Sequence, residues 1–346
     1  MSRLRLPAPA IGVTGSVGKT SVKHMIAAAT SAAARTHANA ASFNNELGLP
    51  LTLANAPDDT QVTVVEMGAR GIGHIRDLCE IARPTIGVVT KVALAHSELF
   101  GSIEGVAAAK GELVEALPPD GVAVLHAGDP HVRSMASRSV ADVIFYGDPR
   151  ADVYASDVHF DELLRGRFVV TTPAGSADVR LAVSGAHMVD NAVGAIAAGT
   201  AAGLDLASLV AGLERAVISR WRMEIDRTAS GGIVINDAYN ANPTSMRAAL
   251  AALSALDVAR RVAVVGVMAE LGEEGPAEHL AIADEALAAG IDVIAVNAPA
   301  YGPRVRHVSD AVAAIAAVAR VGDGDAVLVK GSRSAGLEQI AAILLA

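Results

Sequence analysis

The chain is predicted to be an α/β protein: a phosphate-loop nucleotide-binding domain on a mostly parallel sheet, followed by a smaller α/β domain. Three observations carry that expectation. An apolar run ending at Val13 leads through glycines at 12, 15 and 18 to Lys19 and an alanine-rich helical stretch. Short Val/Ile/Ala runs alternate with longer Ala/Leu patterns through most of the 346 residues, as in parallel strands with covering helices. The rhythm breaks near Ile218–Arg222 before a second strand–helix series begins, which places the domains at residues 1–218 and 219–346.

The first strand runs into Ile11-Gly-Val-Thr-Gly-Ser-Val-Gly-Lys-Thr-Ser21. Strand, glycine loop and helix start together aim backbone N–H groups and a positive helix end at one phosphate chain. Gly15, Ser16, Val17, Gly18, Lys19, Thr20 and Ser21 are the candidate contacts. The usual spacing G-x-x-x-x-G-K-[ST] is not kept, since Val13 stands where the first glycine would be. Lys19 is expected to bridge the outer phosphates and the Thr20 hydroxyl to ligate Mg²⁺.

Strands are predicted next at Val62–Glu66, Ile86–Thr90, Gly121–Leu125 and Val143–Tyr146. Glu66 closes a buried-looking strand, where a carboxylate at the sheet edge faces a ligand and can supply the acidic partner that Mg²⁺ needs beside the loop. The pattern Val106–Leu117 is helical and carries Lys110. Residues 153–183 change to shorter alternating pieces, such as Phe168–Thr172, that read as antiparallel hairpins, and a helix follows from Met188 to Ala202. The second series has strands at Gly232–Asn236, Arg261–Val265, Val293–Val296 and Ala326–Val329. Asp237-Ala-Tyr-Asn240 follows the first of these, and Asn242-Pro243 is a turn and helix-start signal. Glu270 and His279 flank a helix start and receive no role.

Composition narrows the function. A formal charge of −9 argues against nucleic acid as the main partner and leaves no basic membrane-binding surface. Charges or Gly/Pro interrupt every apolar stretch before a bilayer-spanning length, and Met1–Ala10 is too short for a signal peptide. One cysteine, Cys79, excludes a disulfide framework and a cysteine zinc site. A cytoplasmic enzyme acting on small molecules is expected.

The loop's Thr-Gly-x-x-Gly-Lys-Thr-Ser form is similar to that of the Mur ligase superfamily, which makes amide bonds at the expense of ATP. Asn44-Asn45-Glu46-Leu47-Gly48, Glu66-Met67-Gly68-Ala69, His96-Ser-Glu-Leu-Phe-Gly-Ser102 and Ala109-Lys110-Gly111-Glu112 resemble the MurF-type branch, which adds D-alanyl-D-alanine to a peptidoglycan precursor. So do Asp237-Ala-Tyr-Asn-Ala-Asn-Pro243, Met268-Ala-Glu-Leu-Gly-Glu273 and Lys330-Gly-Ser-Arg-Ser334. The motifs stand in the family order from residue 11 to the end.

The resemblance implies a Rossmann-like C-terminal domain, ATP, and Mg²⁺ at two sites. It makes Glu66 a ligand of one metal, with Thr20. His96 and a carbamylated Lys110 hold the second. It puts Asn191, Arg222, Asp237 and Asn240 against the nucleotide, Arg222 on phosphate and Asp237 near the ribose. Asn44, Asn45, Lys330, Ser332 and Arg333 fall to the substrates. Lys19, His96, Lys110 and Arg222 form the implied catalytic set. The implied reaction has a substrate carboxylate attack the γ-phosphate, giving an acyl phosphate and ADP, after which an amine displaces phosphate.

Some positions depart from the pattern. Lys91, His126 and Met188 each replace an asparagine, Val267 replaces an aspartate, and Trp221 stands for a glycine. The domain that holds the UDP-sugar in such ligases does not precede the loop in this sequence. A small carboxylic acid or peptide, joined to an amine, is therefore the expected substrate pair, with a partner protein as one way of presenting it. Two further readings stand beside this one. The first is a true peptidoglycan-precursor ligase, adding D-alanyl-D-alanine, whose first domain is missing or supplied separately. The second is a non-catalytic nucleotide-binding subunit of a complex.

Overall fold

The computed structural model describes residues 9–40, 43–93 and 100–346. Its first sheet has the strand order β2-β3-β1-β4-β5-β6 and is parallel throughout. The strands are β1 (Ala10–Thr14), β2 (Thr36–Ala38), β3 (Val62–Glu66), β4 (Ile86–Val89), β5 (Val122–His126) and β6 (Asp142–Tyr146). Every residue of β1, β3 and β4 is buried, which is why these strands read as unbroken apolar runs rather than alternating ones. Helices α1 (Lys19–Ser31), α2 (Gly48–Ala54), α3 (His74–Ala82), α4 (Ile103–Glu115) and α5 (Pro130–Ser134) connect them.

Residues 154–184 form the predicted antiparallel unit, β7 (Tyr154–Phe160), β8 (Arg165–Thr172) and β9 (Gly175–Ser184). Two helices follow, α6 (His187–Ala201) and α7 (Leu206–Leu213). Helix α6 shows what the alanine richness does. Ala192, Ala195, Ala197 and Ala198 are buried, and at Gly194 a Cβ would come within 2.8 Å of the Tyr146 ring. Small side chains let this helix lie close against the sheet, so packing density stands in for aromatic bulk.

The second sheet has the order β10-β11-β15-β12-β13-β14. Its strands are β10 (Glu224–Arg227), β11 (Ile233–Asp237), β12 (Arg260–Val265), β13 (Asp292–Val296), β14 (Arg306–Val308) and β15 (Asp325–Lys330). Only β10 is antiparallel in it. The covering helices are α8 (Pro243–Ala255), α9 (Gly275–Ala288), α10 (Ala311–Val318) and α11 (Glu338–Leu345). One apolar core runs from Ile11, Met25 and Ile196 under the first sheet, through Met223 and Ile225, to Ile235 and Leu253 under the second. Burying each such side chain contributes up to about 1.5–3 kcal/mol, and the C-terminal strand ends Glu66 of the first sheet and Asp237 and Lys330 of the second line one cleft. Among the described residues no helix is long and apolar enough to cross a membrane.

Candidate active site

The phosphate loop closes because two glycines take conformations that L-residues avoid. Gly15 has φ 145°, and a Cβ there would lie 2.0 Å from Thr90 Oγ1. Gly18, at φ 85°, caps α1 without any side-chain cap, so the first N–H groups of the helix stay available to an anion. The end of β4 pins the loop: Thr90 Oγ1 donates to Val17 O at 2.6 Å, and Ser16 N donates to Lys91 O at 2.7 Å. Lys19 Nζ turns back onto Gly15 O (2.6 Å) and Ser16 O (3.1 Å). Burial lowers its pKa, the Glu66 charge opposes that, and the Arg222 charge adds to it.

Glu66 sits one strand away. Its Oε1 accepts from Asn44 Nδ2 at 2.8 Å, and its backbone N–H donates to Asn39 Oδ1. Its Oε2 is buried without a hydrogen-bond partner. A buried carboxylate oxygen left unpaired is costly, and hard oxygen donors from Glu66 and Thr20 suit a divalent cation beside a triphosphate. The residues present therefore fit Mg²⁺. His96 lies outside the described residues. Among those described, no group of three or more His, Cys, Asp or Glu side chains forms a metal cluster.

Lys110 is buried on α4, its Nζ 5.5 Å from the centroid of the Phe100 ring. Burial first, and the Lys19 charge second, lower its pKa to about 7, with Glu112 acting in the opposite direction. Glu112 itself accepts from the backbone N–H groups of Gly73 and Arg76 and so caps α3. That is the structural reason for the acid in the Ala109–Glu112 motif.

The second sheet supplies the opposite wall. Arg222 reaches across, its Nη2 donating to Thr20 Oγ1 at 3.2 Å, while its guanidinium stacks 3.9 Å from the Tyr239 ring centroid. Asp237, at the end of β11, accepts from Met223 N and pairs with Lys330 Nζ. Lys330 is buried and also donates to Asn240 O at 2.9 Å. Its ammonium thus holds Asp237 and the loop to Asn240 in place.

One cleft of about 400 Å³ is lined by Lys19, Thr20, Asn44, Glu66, Asn191, Arg222, Asp237, Asn240 and Lys330 among others. The structure thus gathers most of the candidates. Five others do not line it: Gly15, whose carbonyl accepts from Lys19 Nζ, and Lys110, Asn45, Ser332 and Arg333. Lys110 is buried on α4. Asn45 Oδ1 accepts from Leu47 N and Gly48 N at the start of α2. Ser332 Oγ accepts from Ala269 N. Arg333 pairs with Glu338 and lies 4.4 Å from the Trp221 ring centroid.

Thr90, Tyr239 and His187 were not anticipated. Tyr239 lies inside the quoted Asp237–Asn240 motif and His187 just before the predicted helix, but nothing local says that an arginine stacks on the one, or that the other lines the cleft. His279 is explained without function, because Met268 N donates to its Nε2 and its Nδ1 meets Gly275 O.

Comparison with known proteins agrees with this arrangement. Residues 13–199 match the Mur ligase middle domain and residues 221–333 the Mur ligase glutamate ligase domain. A UDP-N-acetylmuramoyl-tripeptide–D-alanyl-D-alanine ligase of Mycobacterium bovis is 40% identical over 370 residues, covering 97% of this chain and 72% of the relative. A crystal structure of MurF from Acinetobacter baumannii superposes with a TM-score of 0.91 at 29% identity, covering 99% of this chain and 78% of that one. MurF from Thermotoga maritima, solved in complex with ADP, gives 0.89 at 24% identity, covers 99% of this chain and 81% of that one, and shares the fold.

Proposed function

The chain belongs to the Mur ligase family, and from that premise we propose that it joins D-alanyl-D-alanine to a UDP-N-acetylmuramoyl tripeptide through an acyl phosphate. It is a MurF-like, ATP-dependent, ADP-forming carbon–nitrogen ligase. The substrate pair is our reading. It replaces the small free acid expected from the sequence, because a relative matched along 97% of this chain is named for the UDP-muramoyl tripeptide. The observation that carries the ATP-dependent chemistry is the cleft itself, with Lys19, Thr20 and the unpaired oxygen of Glu66 on one wall and Arg222 on the other.

In this reading residues 1–218 hold the nucleotide and residues 219–346 close over it. The tripeptide's terminal carboxylate oxygen bonds to the γ-phosphorus as the bridge to the β-phosphate breaks and leaves with ADP. The D-alanyl-D-alanine nitrogen then bonds to the acyl carbon, phosphate departs, and the amine gives up a proton. Lys19 leaves the Gly15 and Ser16 carbonyls for the outer phosphates. Arg222, already at Thr20, adds positive charge where the transferred group becomes most anionic. Mg²⁺, held by Glu66 and Thr20, would neutralise phosphate charge and bring the two anions together.

Lys110 fits a carbamate role in one respect. With a pKa lowered to about 7, a share of it is free amine at neutral pH, the form that adds CO₂. A cytoplasmic setting belongs to the same reading.

The test is product formation. Purified protein with Mg²⁺-ATP should release ADP and phosphate only when UDP-N-acetylmuramoyl tripeptide and D-alanyl-D-alanine are both supplied. Release of AMP and pyrophosphate would overturn the acyl-phosphate route. Turnover with small free acids but not with the UDP-muramoyl tripeptide would overturn the substrate assignment.

A further inference from the structure

Lys23 is a fully buried cation that does not line the cleft. It stands four residues beyond Lys19 on α1, on the same face of the helix. An ammonium taken out of water is costly unless its donors are used. Lys23 Nζ donates to Asn39 O at 2.8 Å and lies 3.2 Å from His24 Nε2. An ammonium has no lone pair to offer, so the His24 ring accepts there. Burial first, and the Lys23 charge second, lower the His24 pKa to about 4, which keeps that ring neutral at pH 7.

Asn39 passes this contact on to the cation site. It is buried directly after β2. Its Oδ1 accepts from Glu66 N at 3.0 Å, and its Nδ2 donates to Phe43 O at 3.0 Å. The next residue, Asn44, donates to Glu66 Oε1 at 2.8 Å, while its own carbonyl accepts from Gly68 N at 2.8 Å. A Cβ on Gly68 would lie 2.9 Å from Asn44 Oδ1, so the asparagine is confined on that side. Asn39 thus holds the Glu66 backbone and the residue before Asn44, and Asn44 holds the Glu66 carboxylate. Lys23 fixes the carbonyl of Asn39 behind both.

We infer that Lys23 is a positioning residue for the cation site: through Asn39 it fixes Glu66 and Asn44, so that the unpaired Glu66 Oε2 is held ready for a divalent cation. The inference rests on the proposed role of Glu66 as a Mg²⁺ ligand. Its physical reason is that partners behind a ligating side chain set the orientation of that side chain and with it the affinity for the metal. A carboxylate without such partners has to be ordered when the cation binds, and that ordering opposes binding. Lys23 does this work from outside the cleft, which separates it from Lys19 and Arg222.

The experiment titrates Mn²⁺, as a paramagnetic stand-in for Mg²⁺, into the intact chain with the nonhydrolysable analogue AMPPNP, and reads free Mn²⁺ by electron paramagnetic resonance. Lys23→Met is expected to weaken Mn²⁺ binding about tenfold and to leave the affinity for metal-free AMPPNP unchanged. Asn39→Ala should do the same. The double variant should bind Mn²⁺ no more weakly than the weaker single one, because both changes break one chain of contacts. Unchanged Mn²⁺ affinity in the single variants, or losses that add in the double variant, overturns the inference and leaves the proposed function standing. An equal loss of metal-free AMPPNP affinity on Lys23→Met also overturns it, because Lys23 would then act on phosphate. If Lys23→Met does not fold, Asn39→Ala decides by the same two affinities. Wild-type chain that binds AMPPNP but no Mn²⁺ overturns the Glu66 cation site in the proposed function, and the inference falls with it.

Discussion

At the scale of single residues, Glu66 combines an inexpensive fold position with an expensive chemical state. It ends β3, where any strand could end, yet one of its carboxylate oxygens is buried and unpaired. Glu66→Gln keeps the Asn44 contact possible but removes the charge that a cation requires. We predict a fall in kcat of about a hundredfold with a weaker apparent affinity for Mg²⁺, measured as ADP release across a Mg²⁺ titration. Unchanged turnover at saturating Mg²⁺ would remove Glu66 from the cation site. Glu66, Lys19 and Thr20 were legible because strand end, glycine loop and helix start are adjacent in sequence or in neighbouring strands. Trp221 was legible only as an oddity. The structure gives it φ 63°, a left-handed conformation that suits the glycine it replaces, with the Arg333 guanidinium against its ring.

At the scale of elements, most predicted strands appear where the apolar runs lie. Val62–Glu66 is reproduced to the residue, the other predicted parallel strands shift by one position at one or both ends, and the piece predicted at Phe168–Thr172 begins three residues earlier, at Arg165. The strands that escaped are β2, β10 and β14. They read Thr-His-Ala, Glu-Ile-Asp-Arg and Arg-His-Val and sit at sheet edges. Short polar edge strands carry too few apolar residues to show a period, and edges favour such residues because they resist further pairing. Helix starts were more visible. Asn242-Pro243 opens α8 through a reciprocal capping box with Ser245. Asn242→Ala should cost about 1 kcal/mol of stability, read as a lower denaturant midpoint with an unaltered slope. A cost near zero would mean that packing of Leu250 and Leu253 alone holds this helix.

At the scale of the molecule, the two sheets meet through a continuous apolar core and one polar bridge at the cleft, Arg222 to Thr20. The core brings the walls together, and the bridge puts the Arg222 guanidinium of one wall beside the glycine loop of the other. Arg222→Ala is expected to lower kcat about a hundredfold more than it raises KM for the nucleotide. A change in KM alone would mean that Arg222 contributes only ground-state binding. The relatives matched along nearly the whole chain extend beyond it, since the chain covers 72% of the mycobacterial ligase. The UDP-muramoyl assignment is therefore tested by turnover rather than by fold.

The amino-acid order alone determined the phosphate loop, the alternation of strands and helices, and the family. Each of these is written in short runs whose meaning depends on neighbours a few residues away. Only the tertiary structure decided which polar groups meet. Lys330 neutralises Asp237, Lys91 turns to Asp190, and Arg222 finds Thr20, pairs separated by 93, 99 and 202 residues. No local periodicity encodes such a meeting. It follows from strand pairing within one sheet for Asp237 and Lys330, from a helix packed on the first sheet for Lys91 and Asp190, and from the packing of the two sheets for Arg222 and Thr20, and it leaves Lys91 lining the cleft.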